Sequence, residues 1–131
     1  MTEQMQLYRC NVCGNIVEVM YPGSNNLTCC SQLMELLREQ TEEENLTEKH
    51  VPVVTIEGDT KTIRVGTIPH PMEKEHYIVF IESVSSDKKY LKRKFLYPGE
   101  KPEAKFGNND NCGDMTAREL CNIHGLWIDK K

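Results

Sequence analysis

A chain of 131 residues has room for one ordinary domain with a small appendage, and none for a large multidomain enzyme. With 38% hydrophobic and 27% charged residues it is of globular composition, and no apolar run approaches the roughly 18 residues of a membrane-spanning helix. Sixteen basic against twenty acidic residues give a formal charge of −4, which argues against nucleic-acid binding, so any anion the chain handles must be drawn in by local charge.

The start, Met1-Thr2-Glu3-Gln4-Met5-Gln6, has neither a basic n-region nor an apolar h-region, so a cytoplasmic location is expected. In a reducing compartment the six cysteines are expected to be metal ligands or reactive thiols and not a disulfide framework. Residues 1–38 hold four of them and no histidine; the remainder holds all four histidines and the other two cysteines. This segregation predicts two metal chemistries in two domains, residues 1–38 and 46–131, joined by an acidic polar linker over 39–45.

In the first segment, strands are expected over residues 6–9 and 16–21, the second ending at the turn signal Tyr21-Pro22-Gly23-Ser24-Asn25-Asn26. Residues 31–39 fit one or two helical turns as well as a closing strand. So short a segment cannot hold itself together by apolar burial, and a metal would be its core. Cys10-Asn11-Val12-Cys13, then fifteen residues, then Cys29-Cys30 is a tetrathiolate pattern close to that of zinc ribbons and rubredoxin-like knuckles. Gly14 lets the backbone fold around the first pair. Adjacent cysteines should strain the local geometry, so a distorted tetrahedron is expected. Spacing leaves zinc and iron equally open, with a vicinal Cys29–Cys30 disulfide as a third option.

From residue 50 the pattern is of short β-rich runs: 51–57, then Gly58-Asp59, then 60–68, 76–84 and 90–97, the last closed by Pro98-Gly99. Their spacing favours an antiparallel sandwich or barrel over a helical bundle. Lys88, Lys89, Lys92, Arg93 and Lys94 read as a solvated basic edge, or as a docking surface for an acidic partner. Phosphate-binding glycine loops and a Gly-x-Ser-x-Gly elbow are absent from the sequence.

A second metal constellation follows from Cys121-Asn122-Ile123-His124, where one turn can bring thiolate and imidazole to a single ion, together with His50, His70 and His76 at element ends. Four imidazoles and one thiolate exceed a closed tetrahedral zinc site and suit iron, leaving one octahedral position open for a small molecule. A blue-copper centre is the alternative, but no methionine follows the Cys121…His124 pair.

These residues together resemble the desulfoferrodoxins, two-iron superoxide reductases of anaerobic and microaerophilic microbes. The resemblance is carried by Tyr8-Arg9-Cys10-Asn11-Val12-Cys13-Gly14-Asn15-Ile16-Val17-Glu18-Val19 with Cys29-Cys30, by Glu48-Lys49-His50-Val51-Pro52-Val53, by His70-Pro71-Met72-Glu73 through His76, and by Ala117-Arg118-Glu119-Leu120-Cys121-Asn122-Ile123-His124-Gly125. It implies an all-β chain: a desulforedoxin-like knuckle followed by an immunoglobulin-like antiparallel sandwich. It implies two iron ions, one held by Cys10, Cys13, Cys29 and Cys30. The other would be held by His50, His70, His76 and His124 in one plane, with Cys121 axial. It further implies superoxide as substrate, Lys49 as the attracting charge, Glu48 as a carboxylate for the vacant position, a donor such as rubredoxin, and a homodimer. The rival reading is a two-iron electron carrier without turnover, and a zinc-stabilised binding module stands behind it. Leu126 and Tyr77 depart from residues common in the family without touching a ligand, and Cys112 reads as an incidental thiol.

Overall fold

β-Branched and aromatic runs pack well on a pleated surface, and every regular element among the described residues is a strand. The computed structural model describes residues 1–41, 50–67, 70–108 and 114–129, and the chain divides into the units Met1–Arg38 and Glu39–Lys131.

The first unit contains β1 (Leu7–Arg9), β2 (Ile16–Glu18), β3 (Thr28–Cys29), β4 (Gln32–Leu33) and β5 (Glu35–Leu37). β1 pairs antiparallel with β2 on one side and β5 on the other, and β3 and β4 form a separate hairpin. Of the stretch 31–39, open in the sequence, residues 32–33 and 35–37 are therefore strand and not helix. Leu7, Val19 and Leu37 are buried, whereas Met20, Tyr21 and Leu33 face solvent, so little apolar surface is removed from water.

The second unit contains β6 (Pro52–Glu57), β7 (Thr60–Val65), β8 (Ile78–Ser85), β9 (Leu91–Phe95), β10 (Glu103–Gly107), β11 (Met115–Cys121) and β12 (Gly125–Ile128). They form two antiparallel sheets, ordered β10-β7-β6 and β12-β11-β8-β9. Three connections, β7 to β8, β9 to β10 and β10 to β11, change sheet, which is the Greek-key arrangement of an immunoglobulin-like sandwich. Between the sheets lie Ile63 and Val65 of β7, Ala104 of β10, Ile78 and Ile81 of β8, and Ala117 and Cys121 of β11. The alternation is plain in β7, where Lys61, Ile63 and Val65 are buried and Arg64 is exposed. The register of β11 on β8 shifts between Leu120 and Cys121, a bulge that re-aims the last residue of the strand at the end where the histidines gather.

The four expected strands of this region are found as β6 to β9 with ends displaced by up to three residues, and three more, β10 to β12, were not expected. β9 is the edge of its sheet, as the basic run suggested, but Arg93 is not part of a solvated edge. Its guanidinium lies 2.6 Å from Glu82 and 4.4 Å from the centre of the Phe80 ring. Glu82 has no solvent exposure and also takes Arg118 at 2.7 Å, and Arg118 in turn meets Glu39 at 3.2 Å. Removing the buried carboxylate leaves two cations without their shared anion, so Glu82→Ala is expected to lower unfolding stability by about 3–5 kcal/mol. A shift of the denaturant midpoint corresponding to less than about 1 kcal/mol would show that the charges hold each other only weakly.

Glu39 and Gln40, where a linker was expected to start, run along this sandwich. Gln40 forms a parallel bridge with Trp127, its amide donating to the Leu126 carbonyl at 3.0 Å and its carbonyl accepting from Ile128 at 3.0 Å. The rest of the expected linker from Glu42 onward lies outside the described residues, as do Glu48, Lys49 and Cys112.

Candidate metal centres

Cys10 follows β1 directly, and Cys13 sits on the turn that Gly14 closes at φ +87°, with the Gly14 amide donating to the Cys10 carbonyl at 2.9 Å. Cys29 ends β3, and Cys30-Ser31 are the two central residues of the hairpin to β4, with φ +52° and +60°. Positive φ at both positions is the signature of a type I′ turn, usually made by Asn-Gly; here two non-glycine residues occupy it. That conformation lets neighbouring cysteines face one point.

The Sγ atoms of Cys13 and Cys29 are 3.7 Å apart and those of Cys29 and Cys30 3.9 Å, too far for a disulfide. Thiolates about 2.3 Å from one tetrahedral ion stand roughly 3.8 Å apart, so the cage fits a metal. The Cys13 amide, donating to Cys10 Sγ at 3.4 Å, draws the Cys10 thiol down to about 6. Contacts with Cys10 and Cys13 push Cys29 up to about 12. A metal entering this group therefore displaces protons as it binds.

The second group comes from one end of the sandwich. His50 precedes β6, His70 and His76 lie in the connection from β7 to β8, Cys121 ends β11, and His124 sits in the turn to β12. One ligand atom from each of the five lies within 4.8 Å of all the others. The rings follow a closed cycle: His50 to His70 4.7 Å between centroids, His70 to His76 4.7 Å, His76 to His124 5.1 Å, and His124 back to His50 4.7 Å. His50 Nε2 and His124 Nδ1 are 3.1 Å apart. Nitrogens about 2.1 Å from one ion in a square would stand roughly 3 Å apart when adjacent and roughly 4.2 Å when opposite, which the 3.1 Å His50–His124 pair and the 4.8 Å span of the group fit. Cys121 Sγ is 3.8 Å from His124 Nδ1 and belongs to a residue without solvent exposure, whereas His124 is exposed. Sulfur thus lies on the core side of the group.

Several of the ligands, or the backbone beside them, are held by partners outside the donor set. His70 Nδ1 donates to the Pro71 carbonyl at 2.7 Å, which leaves Nε2 for a metal. The His50 ring stacks on Trp127 at 4.8 Å, and the Trp127 indole donates to the His124 carbonyl at 3.2 Å. Burial, reinforced by the neighbouring imidazoles, brings the His50 pKa down to about 4, so the ring is neutral and ready to ligate at ordinary pH. Asn122 joins the two ligand loops: its Oδ1 accepts from the Tyr77 amide at 2.9 Å and its Nδ2 donates to the Glu75 carbonyl at 3.0 Å, on either side of His76. The sequence reading missed Asn122, Trp127 and Gln40. Only Asn122 carried a signal, its place inside the Cys-x-x-His motif.

A desulfoferrodoxin family model matches residues 42–130, and a model of the desulfoferrodoxin N-terminal domain matches residues 2–37. The chain belongs to the desulfoferrodoxin family. A desulfoferrodoxin homologue from Methanothermobacter thermautotrophicus is 50% identical over 127 residues, covering 97% of this chain and 99% of its own. Among solved structures, the superoxide reductase from Treponema pallidum superposes with a TM-score of 0.75 at 26% identity, covering 97% of this chain and 98% of that one. A 1Fe superoxide reductase from Giardia intestinalis covers 63% of this chain and 95% of its own, with a TM-score of 0.55 and 31% identity. In this desulfoferrodoxin the two donor sets, four thiolates and four imidazoles with a thiolate, fit two iron ions per chain. Among the described residues no helix is long and apolar enough to cross a membrane.

Proposed function

We propose that the chain is a superoxide reductase, converting superoxide to hydrogen peroxide by addition of one electron and two protons, without evolving oxygen. The convergence of His50, His70, His76, Cys121 and His124 on one point carries this reading. These five residues would hold an iron ion, which would supply the one-electron chemistry of the reduction. His50, whose pKa burial brings down to about 4, is neutral and able to ligate. Cys121 supplies a buried thiolate whose charge is moderated by the His124 amide, which donates to its sulfur at 3.4 Å.

Lys49 and Glu48 directly precede the ligand His50 in the sequence, and we assign them steering and product departure respectively. A chain of net charge −4 repels superoxide at long range, so a local cation beside the metal must offset this. Lys49→Ala is expected to slow second-order capture about tenfold and to flatten its dependence on ionic strength. Pulse radiolysis showing the same rate and the same salt slope would remove Lys49 from that role.

The electrons come from an outside redox donor, for which a rubredoxin-like protein is proposed, and the tetrathiolate iron is a candidate relay. A homodimer in the cytoplasm is the proposed working state; free thiols spaced for metal and not for disulfides favour a reducing compartment. Metal analysis should give two irons per chain, and stopped-flow mixing with superoxide should oxidise the second one with no oxygen released. Zinc in both groups, or half a molecule of oxygen per superoxide consumed, contradicts the assignment.

A further inference from the structure

We infer that Gln40 is a positioning residue for the ligand His124, an inference that rests on the iron-binding reading of the second group. His124 is exposed and stands on a turn, not on a strand, so the sheet ladder does not fix its place. Its backbone carbonyl accepts from Gln40 Nε2 at 2.8 Å and from the Trp127 indole at 3.2 Å; Gln40 Nε2 also donates to the Leu126 carbonyl at 3.3 Å. Gln40 is itself held firmly: its backbone bonds to Leu126 and Ile128, and the preceding Glu39 binds Arg118 at 3.2 Å.

The amide fills a niche that the turn provides for it. Gly125, between the two acceptor carbonyls, has φ +88°, and a Cβ there would lie 3.2 Å from Gln40 Nε2. The planar amide, with two N–H donors on one nitrogen, satisfies both carbonyls. Asparagine is a methylene shorter, and glutamate has the same shape with no donor. A clamp on the His124–Gly125 peptide limits how far the imidazole can swing out of the square, and partners of this kind are worth about 10–100-fold in metal affinity.

Gln40→Glu and Gln40→Met separate this role from bulk stability, because both keep the backbone bridge and nearly the same volume. In the full chain loaded with iron, both are expected to release the second iron to a ferrous chelator about tenfold faster than wild type and to broaden the ferric resonance of that site. Absorption of the tetrathiolate iron stays unchanged and serves as internal control. Gln40→Asn should recover part of the retention. If both variants keep wild-type release rates and an unaltered ferric resonance, the positioning role is wrong, even if their melting temperatures fall. If wild type itself holds no iron in the second group, it is the functional reading that fails.

Discussion

Cys121→Ser is expected to leave the sandwich folded while abolishing the sulfur-to-iron absorption of the second site and, with it, superoxide reduction. Serine nearly matches cysteine in size, so the cost to a position with no solvent exposure is that of burying a hydroxyl, about 1–3 kcal/mol. The cost to the site is far larger. An oxygen that remains protonated at neutral pH is a poor ligand for a borderline-soft ion, and the His124 amide 3.4 Å away then meets a weaker acceptor. Loss of a direct ligand should exceed the 10–100-fold typical of outer-shell partners, so iron affinity at the second site is expected to fall by more than about 100-fold. Visible spectroscopy with metal analysis checks this, the tetrathiolate bands again providing the reference. A Cys121→Ser protein that keeps the second site's sulfur band and reduces superoxide at the wild-type rate excludes Cys121 as a ligand of that site.

Both metal groups were legible because cysteine and histidine are scarce and their spacings are chemically restrictive. Four strands were legible because runs rich in β-branched and aromatic residues, such as Thr60–Val65, recur between turn signals. β11 was not, since Met115–Cys121 includes Thr116, Arg118 and Glu119, which read as surface residues. In the fold Arg118 is buried against Glu82, and Glu119 has no solvent exposure. Tertiary pairing decides such cases, and no local pattern contains it. The same holds for Arg93, which a charge count places with its lysine neighbours and the structure places on a buried carboxylate and a ring. Glu39 and Gln40 were absorbed into an acidic run for lack of apolar periodicity, yet their polar groups are what they contribute.

The two sites solve the problem of assembling donors in different ways. In the second, ligands from three stretches of sequence are brought together by a sandwich with its own core, and a bulge before Cys121 completes the aim. In the first, the hairpin itself is strained: Cys30 and Ser31 both sit at positive φ, at a cost of order 1–3 kcal/mol each for non-glycine residues. Only an interaction larger than that strain keeps such a turn closed.

That interaction is the metal, and its removal is therefore expected to unfold the first unit alone. Leu7, Val19 and Leu37 are its principal buried aliphatic side chains, and 38 residues cannot be ordered by so small a core. Structural tetrahedral sites contribute roughly 10–16 kcal/mol to such units, so losing one thiolate should be decisive. Cys29→Ser is the sharpest variant, because Cys29 Sγ lies within 3.9 Å of both Cys13 Sγ and Cys30 Sγ. Amide resonances of residues 7–37 are expected to collapse to random-coil positions and the tetrathiolate absorption to vanish. Resonances of the sandwich should persist, and superoxide reduction driven by a chemical reductant should stay within about twofold of wild type, as for independent sites. Dispersed resonances from a metal-free first unit would show that its strands stand without the ion. A parallel loss of iron from the second group would show that the two units do not fold independently.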